Sequence, residues 1–278
     1  MLATPNTHPP VSCLHNKCTM LFILIGGFFV ANALIAEFIG VKVFSLEKTL
    51  GFDPLNWELT DTVRLSLNIS AGVLLWPLEF AIADLVNEYF GRRGIKLLSF
   101  LAVGLITYAF LMIFFAMWLT PADVWITRQT PGGEVDMVQA FDAVFSQSQW
   151  IIFGSLVAFL IGQMLDVYVF QWIKRATGEG MLWLRATGST LVSQFVDSFI
   201  VLLIAFHFNP STQWGLYTIL LMGLVKYMYK FIMAIVLTPL IYILHDVIDW
   251  YLGEEMATQL KQQAMLEPVG NAGQKTAR

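Results

Sequence analysis

The apolar residues of this chain fall in long continuous runs, and polar side chains interrupt those runs at isolated, recurring points. Six runs, residues 20–44, 69–90, 97–119, 150–173, 186–208 and 215–244, are long enough to cross the roughly 30 Å hydrocarbon layer as helices. A membrane barrel would instead alternate apolar and polar residues in short segments. The pattern therefore predicts an all-α polytopic membrane protein with six transmembrane helices over residues 20–245, a tail over 1–19 and another over 246–278. The connection 120–149 is long for a helical bundle. Within it Val138, Phe141, Val144 and Phe145 recur at helical spacing, which predicts a short amphipathic helix lying on the outer membrane surface.

Composition agrees with that setting. The chain is 57% hydrophobic and 13% charged, whereas a soluble domain carries about 25% charged residues. The net charge of -4 says little about partners, and the lack of a basic stripe leaves nucleic acid unsupported as one. Arg92, Arg93 and Lys96 crowd the second connection, and Lys174, Arg175 and Arg185 the fourth. The third has only Arg128 and the fifth has none. The positive-inside rule then makes the second and fourth connections cytoplasmic, and alternation places both termini inside. Ala31-Asn32-Ala33 imitates a signal-peptidase site, but the apolar run continues past it, so the segment reads as a signal anchor. Cys13 and Cys18, with His8 and His15, could hold a metal. A short Pro-rich tail in a reducing compartment favours free thiols, so no metal or cofactor is expected. An enzyme is not expected either, since the spans hold no HExxH, no GxSxG and no His pair.

The polar residues inside the spans carry the functional signal. An ionisable group at mid-bilayer costs about 2.5 to 3.5 kcal/mol on insertion scales, so those a chain retains have a partner, a ligand or an ion. On the second span Trp76, Glu79, Phe80, Ala83, Asp84 and Asn87 share an arc of about 140°. Glu88 lies at its edge, near Arg92 and Arg93. The fourth and fifth spans repeat a short pattern, Gly162-Gln163-Met-Leu-Asp166 and Ser193-Gln194-Phe-Val-Asp197. Gln163 and Asp197 are equally far from the connection at Gly180, as are Asp166 and Gln194. Each Gln is thus set at the depth of the other helix's Asp, and four polar groups could line one pocket wall. An interhelical hydrogen-bond clamp is the alternative. Lys226 and Lys230 share a face of the last span, where either could pair with an intramembrane acid. Pro239 is expected to kink that helix. Glu37 and Lys42, five apart, are not expected to touch.

The segments PLEFAIADLVNEYFGRR, AFDAVF through GQMLDVYVFQWIKR, WLRATGSTLVSQFVDS and KFIMAIVLTPLIY together resemble the bacterial queuosine precursor transporters, also grouped as a vitamin-uptake-type family. The resemblance covers roughly residues 31–242. It implies a six-helix fold similar to the substrate-binding components of energy-coupling-factor transporters, a bacterial inner-membrane location, and uptake of a 7-deazaguanine such as preQ0 or preQ1. By motif, Asp84, Asn87 and Glu88 match the family's acidic second-span signature, and Gln163 and Asp166 its fourth-span pair. Arg185, Ser189, Gln194 and Asp197 match its fifth-span block. Glu79 departs from the pattern, at a position where a small or polar residue is usual. A carboxylate can accept the adjacent N1-H and amine of such a base, Gln amides can read its carbonyl, and Trp76, Phe80 or Trp183 can stack on its ring. The expected partners are thus the base and the bilayer. The sequence leaves open a separate energising module, in which case the chain would be the substrate-binding component of a multi-subunit system. A purely structural membrane protein is the remaining reading.

Overall fold

The computed structural model describes residues 16–53, 57–60, 63–65, 68–146, 149–177 and 181–266. Cys13, His8 and His15, which enter the metal reading, lie outside the described residues, as do Gly180 and residues 267–278. In chain order the helices are α1 (Lys17–Ile39), α2 (Leu46–Thr49), α3 (Trp76–Trp118), α4 (Asp123–Ile126), α5 (Met137–Phe145), α6 (Gln149–Thr177), α7 (Leu182–Leu202), α8 (Leu216–Leu252) and α9 (Glu254–Leu266). Three short antiparallel ladders occupy the connections: β1 (Val43–Ser45) with β4 (Asn68–Ser70), β2 (Trp57–Thr60) with β3 (Val63–Leu65), and β5 (Thr127–Thr130) with β6 (Gly133–Asp136).

Among the described residues five helical segments are long and apolar enough to cross a membrane, where the sequence pattern predicts six spans. The difference lies in α3, whose 43 residues run through Gly91 at φ 68°, ψ −171°. That conformation is essentially closed to residues with a Cβ, so glycine makes the break between two arms. The first arm, residues 76–90, starts later than the predicted run. Residues 68–74 form a strand and a 3-10 turn, and helix begins only at Trp76 with Pro77 in its first turn. At 1.5 Å per residue this arm spans about 22 Å, short of a full crossing. Gly72 presses its Cα onto α1, where a Cβ would come within 2.4 Å of the Ala36 carbonyl oxygen. The entry to the arm is thereby fixed.

The two arms differ in exposure. Every residue from Glu79 to Tyr89 is buried, so the first arm is a central helix with no lipid face, not one with a single polar arc. The second arm buries Ile95, Leu98, Ala102, Ile106 and Phe110 on one stripe and exposes Leu97, Phe100, Leu101, Tyr108 and Leu111 on the other. This is the one-sided pattern of a helix between core and lipid. Its inner stripe packs with Phe29, Val30 and Ala33 of α1 and Ile152, Phe159 and Val167 of α6.

Glycines set the contacts of the remaining helices. Gly154 lies against Ile204 and Gly162 against Asp197, so α6 and α7 form a close antiparallel pair. Gly223 of α8 receives the ring of Phe199 from α7. Helix α8 continues through Pro239 and on to Leu252, and α9 then buries Ala257 and Ala264. The described part of the tail expected over 246–278 is thus helical to Leu266, with a break at Gly253. The polar composition of α9 hid it, because among its described side chains only Ala257 and Ala264 are buried.

Candidate functional site

The central arm of α3 carries four buried polar side chains, Glu79, Asp84, Asn87 and Glu88, none more than 2% exposed. Helices α6 and α7 bring Gln163, Asp166, Ser189, Ser193 and Gln194, all buried, against it. The sequence motifs on three separate runs thus meet inside one bundle. The Asp84 and Asp166 carboxyl groups face one another, and Glu88 and Arg185 also act on Asp84. Asp166 accepts a hydrogen bond from Ser193 Oγ at 3.1 Å. Both oxygens of Asp84, one oxygen of Asp166, one of Glu79, the Asn87 Nδ2 and both amide atoms of Gln163 and of Gln194 have no hydrogen-bond partner among the described residues. A buried polar atom left so costs about 1 to 3 kcal/mol, and native interiors hold few of them. Here several such atoms converge within one bundle.

A recess shares Gln194 with this cluster. It lies between the start of α3, α7 and α8 and has a volume of about 30 Å³. Trp76, Pro77, Phe80 and Tyr229 give it an apolar, largely aromatic wall, and Thr190, Gln194 and Lys230 its polar groups. Trp76 packs on Phe80 and Phe159 with ring centroids 6.4 and 5.5 Å apart. Lys230 pairs with Asp197 beside the recess. Lys226 makes no such pair and is exposed, although it shares the inward face of α8. Glu37 accepts from Ser155 Oγ at 3.3 Å, not from Lys42.

At the Gly91 end the polar residues become an ion cluster. Glu88 lies 3.1 Å from Lys174 Nζ and 2.8 Å from Arg185 Nη2, and Lys174 also donates to the Glu88 carbonyl at 3.1 Å. Lys174 is fully buried. Beyond it, the Tyr89 hydroxyl bonds Asp249 at 2.6 Å and His245 Nδ1 at 2.9 Å, while Lys261 of α9 pairs with Asp249 at 2.8 Å. The expectation that Lys174 and Arg185 are loop charges is therefore corrected. Both sit on helices and are drawn inside by Glu88.

Two further expectations change. The matched depths on α6 and α7 place Gly162 at Asp197 and Asp166 at Ser193, but neither Gln bonds the opposing Asp, because Lys230 and Ser193 take those carboxylates. Trp183 is 51% exposed at the start of α7 and does not reach the recess, so Trp76 and Phe80 are the aromatic candidates. Asn32, Gln171 and Lys174 also belong to the polar core, the last two within the GQMLDVYVFQWIKR segment. Asn32 donates to Glu79 Oε2 at 2.8 Å, and Gln171 to Asn87 Oδ1 at 2.8 Å. The available signal was simply a polar side chain inside an apolar run. Among the described residues no group of three or more His, Cys, Asp or Glu is placed to hold a metal.

Residues 70–244 match the sequence profile of the family described as "Putative vitamin uptake transporter". That interval holds the whole polar cluster except Asn32. The chain is 30% identical over 191 residues to a protein of Bacillus subtilis (strain 168) named "Probable queuosine precursor transporter", covering 67% of this chain and 76% of the relative. No solved structure matches.

Proposed function

This chain belongs to the vitamin uptake transporter family, and on that premise we propose that it imports a queuosine precursor, a 7-deazaguanine base such as preQ0 or preQ1, across the bacterial inner membrane. The observation that carries this reading is the buried cluster of Asp84, Asn87, Gln163, Asp166 and Gln194, with unpartnered acceptors and donors, beside an aromatic recess that Gln194 also lines. A flat base carries N–H donors, a ring carbonyl and two π-faces. The cluster offers carboxylates for the donors, amides for the carbonyl and remaining N–H groups, and Trp76 and Phe80 for a ring face. Glu79 adds one free carboxylate oxygen from the same arm.

Three tiers of polar groups follow the bundle axis: Lys230 with Asp197 near the recess, the Asp84 and Asp166 pair in the centre, and Glu88 with Lys174 and Arg185 at the Gly91 end. The Gly91 end also gathers Lys17, Arg92, Arg93, Arg175 and Lys261, so it is the cytoplasmic end and both termini are inside. The base enters by the recess, exchanges its water for the central acids and amides, and leaves past the Glu88 cluster. No covalent chemistry is required of the chain, and it works as a carrier rather than an enzyme.

Direct binding to the purified protein tests the reading. PreQ0 and preQ1 are expected to quench the fluorescence of Trp76 and to bind at least about tenfold more tightly than unrelated vitamins, the discrimination expected of polar groups that would otherwise stay unpaired. Equal affinity for unrelated vitamins, or no binding to the folded protein, overturns it.

A further inference from the structure

Two buried amides, Gln171 and Asn32, decide which atoms the central arm offers. Gln171 of α6 is 1% exposed. Its Nε2 lies 2.8 Å from Asn87 Oδ1 and 3.3 Å from the main-chain oxygen of Asn87. A main-chain carbonyl only accepts, so the Gln171 atom facing it is the nitrogen. The Asn87 side-chain atom facing that nitrogen is then the oxygen. What Asn87 turns away from Gln171 is Nδ2, buried, unpartnered and able only to donate. One turn earlier on the same face stands Asp84, whose two oxygens receive no donor from the described residues and are open to accept from a ligand. The construction recurs on α1. Asn32 Nδ2 is anchored by the Leu75 carbonyl at 3.1 Å and occupies Glu79 Oε2, which leaves Oε1 of Glu79 as the free acceptor.

Resting on the proposed transport of a base, we infer that Gln171 is a positioning residue that fixes Asn87 as a donor beside the acceptor Asp84, so that the arm selects a lactam edge, a ring carbonyl next to a ring N–H. Guanine-type bases carry that edge. Adenine-type bases carry its reverse, with an amine in place of the carbonyl and a bare ring nitrogen in place of the N–H. Against this arm they set donor to donor and acceptor to acceptor.

The test measures affinities of 7-deazaguanine and 7-deazaadenine for the purified full-length protein, with size-exclusion profile and melting temperature as controls for folding. Wild type is expected to prefer 7-deazaguanine by at least about a hundredfold, since each mispaired buried group contributes about tenfold or more. Gln171→Met keeps the bulk and removes the anchor, which frees Asn87 to turn. The preference is expected to narrow at least about tenfold, chiefly because 7-deazaadenine binds better. Asn87→Asp, with one oxygen held by Gln171, puts an acceptor where the donor stood, and weakens 7-deazaguanine at least about tenfold while sparing 7-deazaadenine. A packing role alone would weaken both bases together. An unchanged ratio in either folded variant overturns the inference and leaves the transport reading standing. A wild type that binds neither base removes the transport reading, and this inference with it.

Discussion

Replacing Glu88 by Gln should unbalance the ion cluster at the Gly91 end more than replacing either cation. Lys174 is fully buried and its partners are the Glu88 carboxylate at 3.1 Å and the Glu88 carbonyl at 3.1 Å. Glu88→Gln leaves that ammonium buried without an anion, which costs about 3 to 5 kcal/mol when a buried pair loses one member. Lys174→Met is milder. Glu88 keeps Arg185 at 2.8 Å, so the loss is nearer one charge-assisted hydrogen bond, about 1.5 to 3 kcal/mol. In the double variant the stranded ammonium is gone, so the combined cost should fall below the sum by about 0.5 to 3 kcal/mol. Equilibrium unfolding in mixed micelles, followed by tryptophan fluorescence, gives all four free energies. The reasoning fails if Glu88→Gln costs no more than Lys174→Met, or if the two losses simply add.

The site residues should behave in the opposite sense, because their polar atoms are unpartnered in the folded chain. Gln194→Leu is expected to leave stability unchanged or raise it, by up to about 3 kcal/mol, while weakening 7-deazaguanine binding in the same preparation. A clear loss of stability would instead mark Gln194 as an interhelical clamp. Gly91→Ala should lower stability by about 1 to 3 kcal/mol, since the α3 break occupies a glycine-only conformation; a thermal shift assay in detergent reads this, and an unchanged melting temperature would deny the break. Gly223→Ala brings a Cβ within 2.5 Å of the Phe199 ring and should cost about 1 to 3 kcal/mol, with Phe199→Leu recovering part of it by double-mutant cycle.

The class of fold was legible because continuous apolar runs admit no other reading, and the position of the α3 break was visible in Gly91-Arg92-Arg93. That the arm before it is buried all round was not visible. Its residues Ala81, Ile82, Leu85 and Val86 would serve equally well against lipid, and only the helices packed on every side decide otherwise. Depth along a helix could be counted, which is why Asp166 and Asp197 meet Ser193 and Gly162 at the matched level. The partner of each side chain could not be counted. Lys230 reached Asp197 first, and Gln163 and Gln194 were left over. Charge counting placed Lys174 and Arg185 at the cytoplasmic end, yet it could not tell a loop cation from one that Glu88 holds inside the bundle. Asn32 and Gln171 showed no pattern because each acts through a single residue on another helix, and such pairs are invisible along one run.

Uptake of labelled preQ1 into proteoliposomes that contain this chain alone is the most direct measurement of the central claim. Vesicles with the wild-type chain are expected to take up the base faster than empty vesicles. Asp84→Asn is expected to lose that uptake while melting no lower than wild type, because it replaces a buried carboxyl group whose oxygens have no donor among the described residues. Uptake no faster than empty vesicles, uptake that appears only when an ATPase module is added, or undiminished uptake by Asp84→Asn would contradict the account.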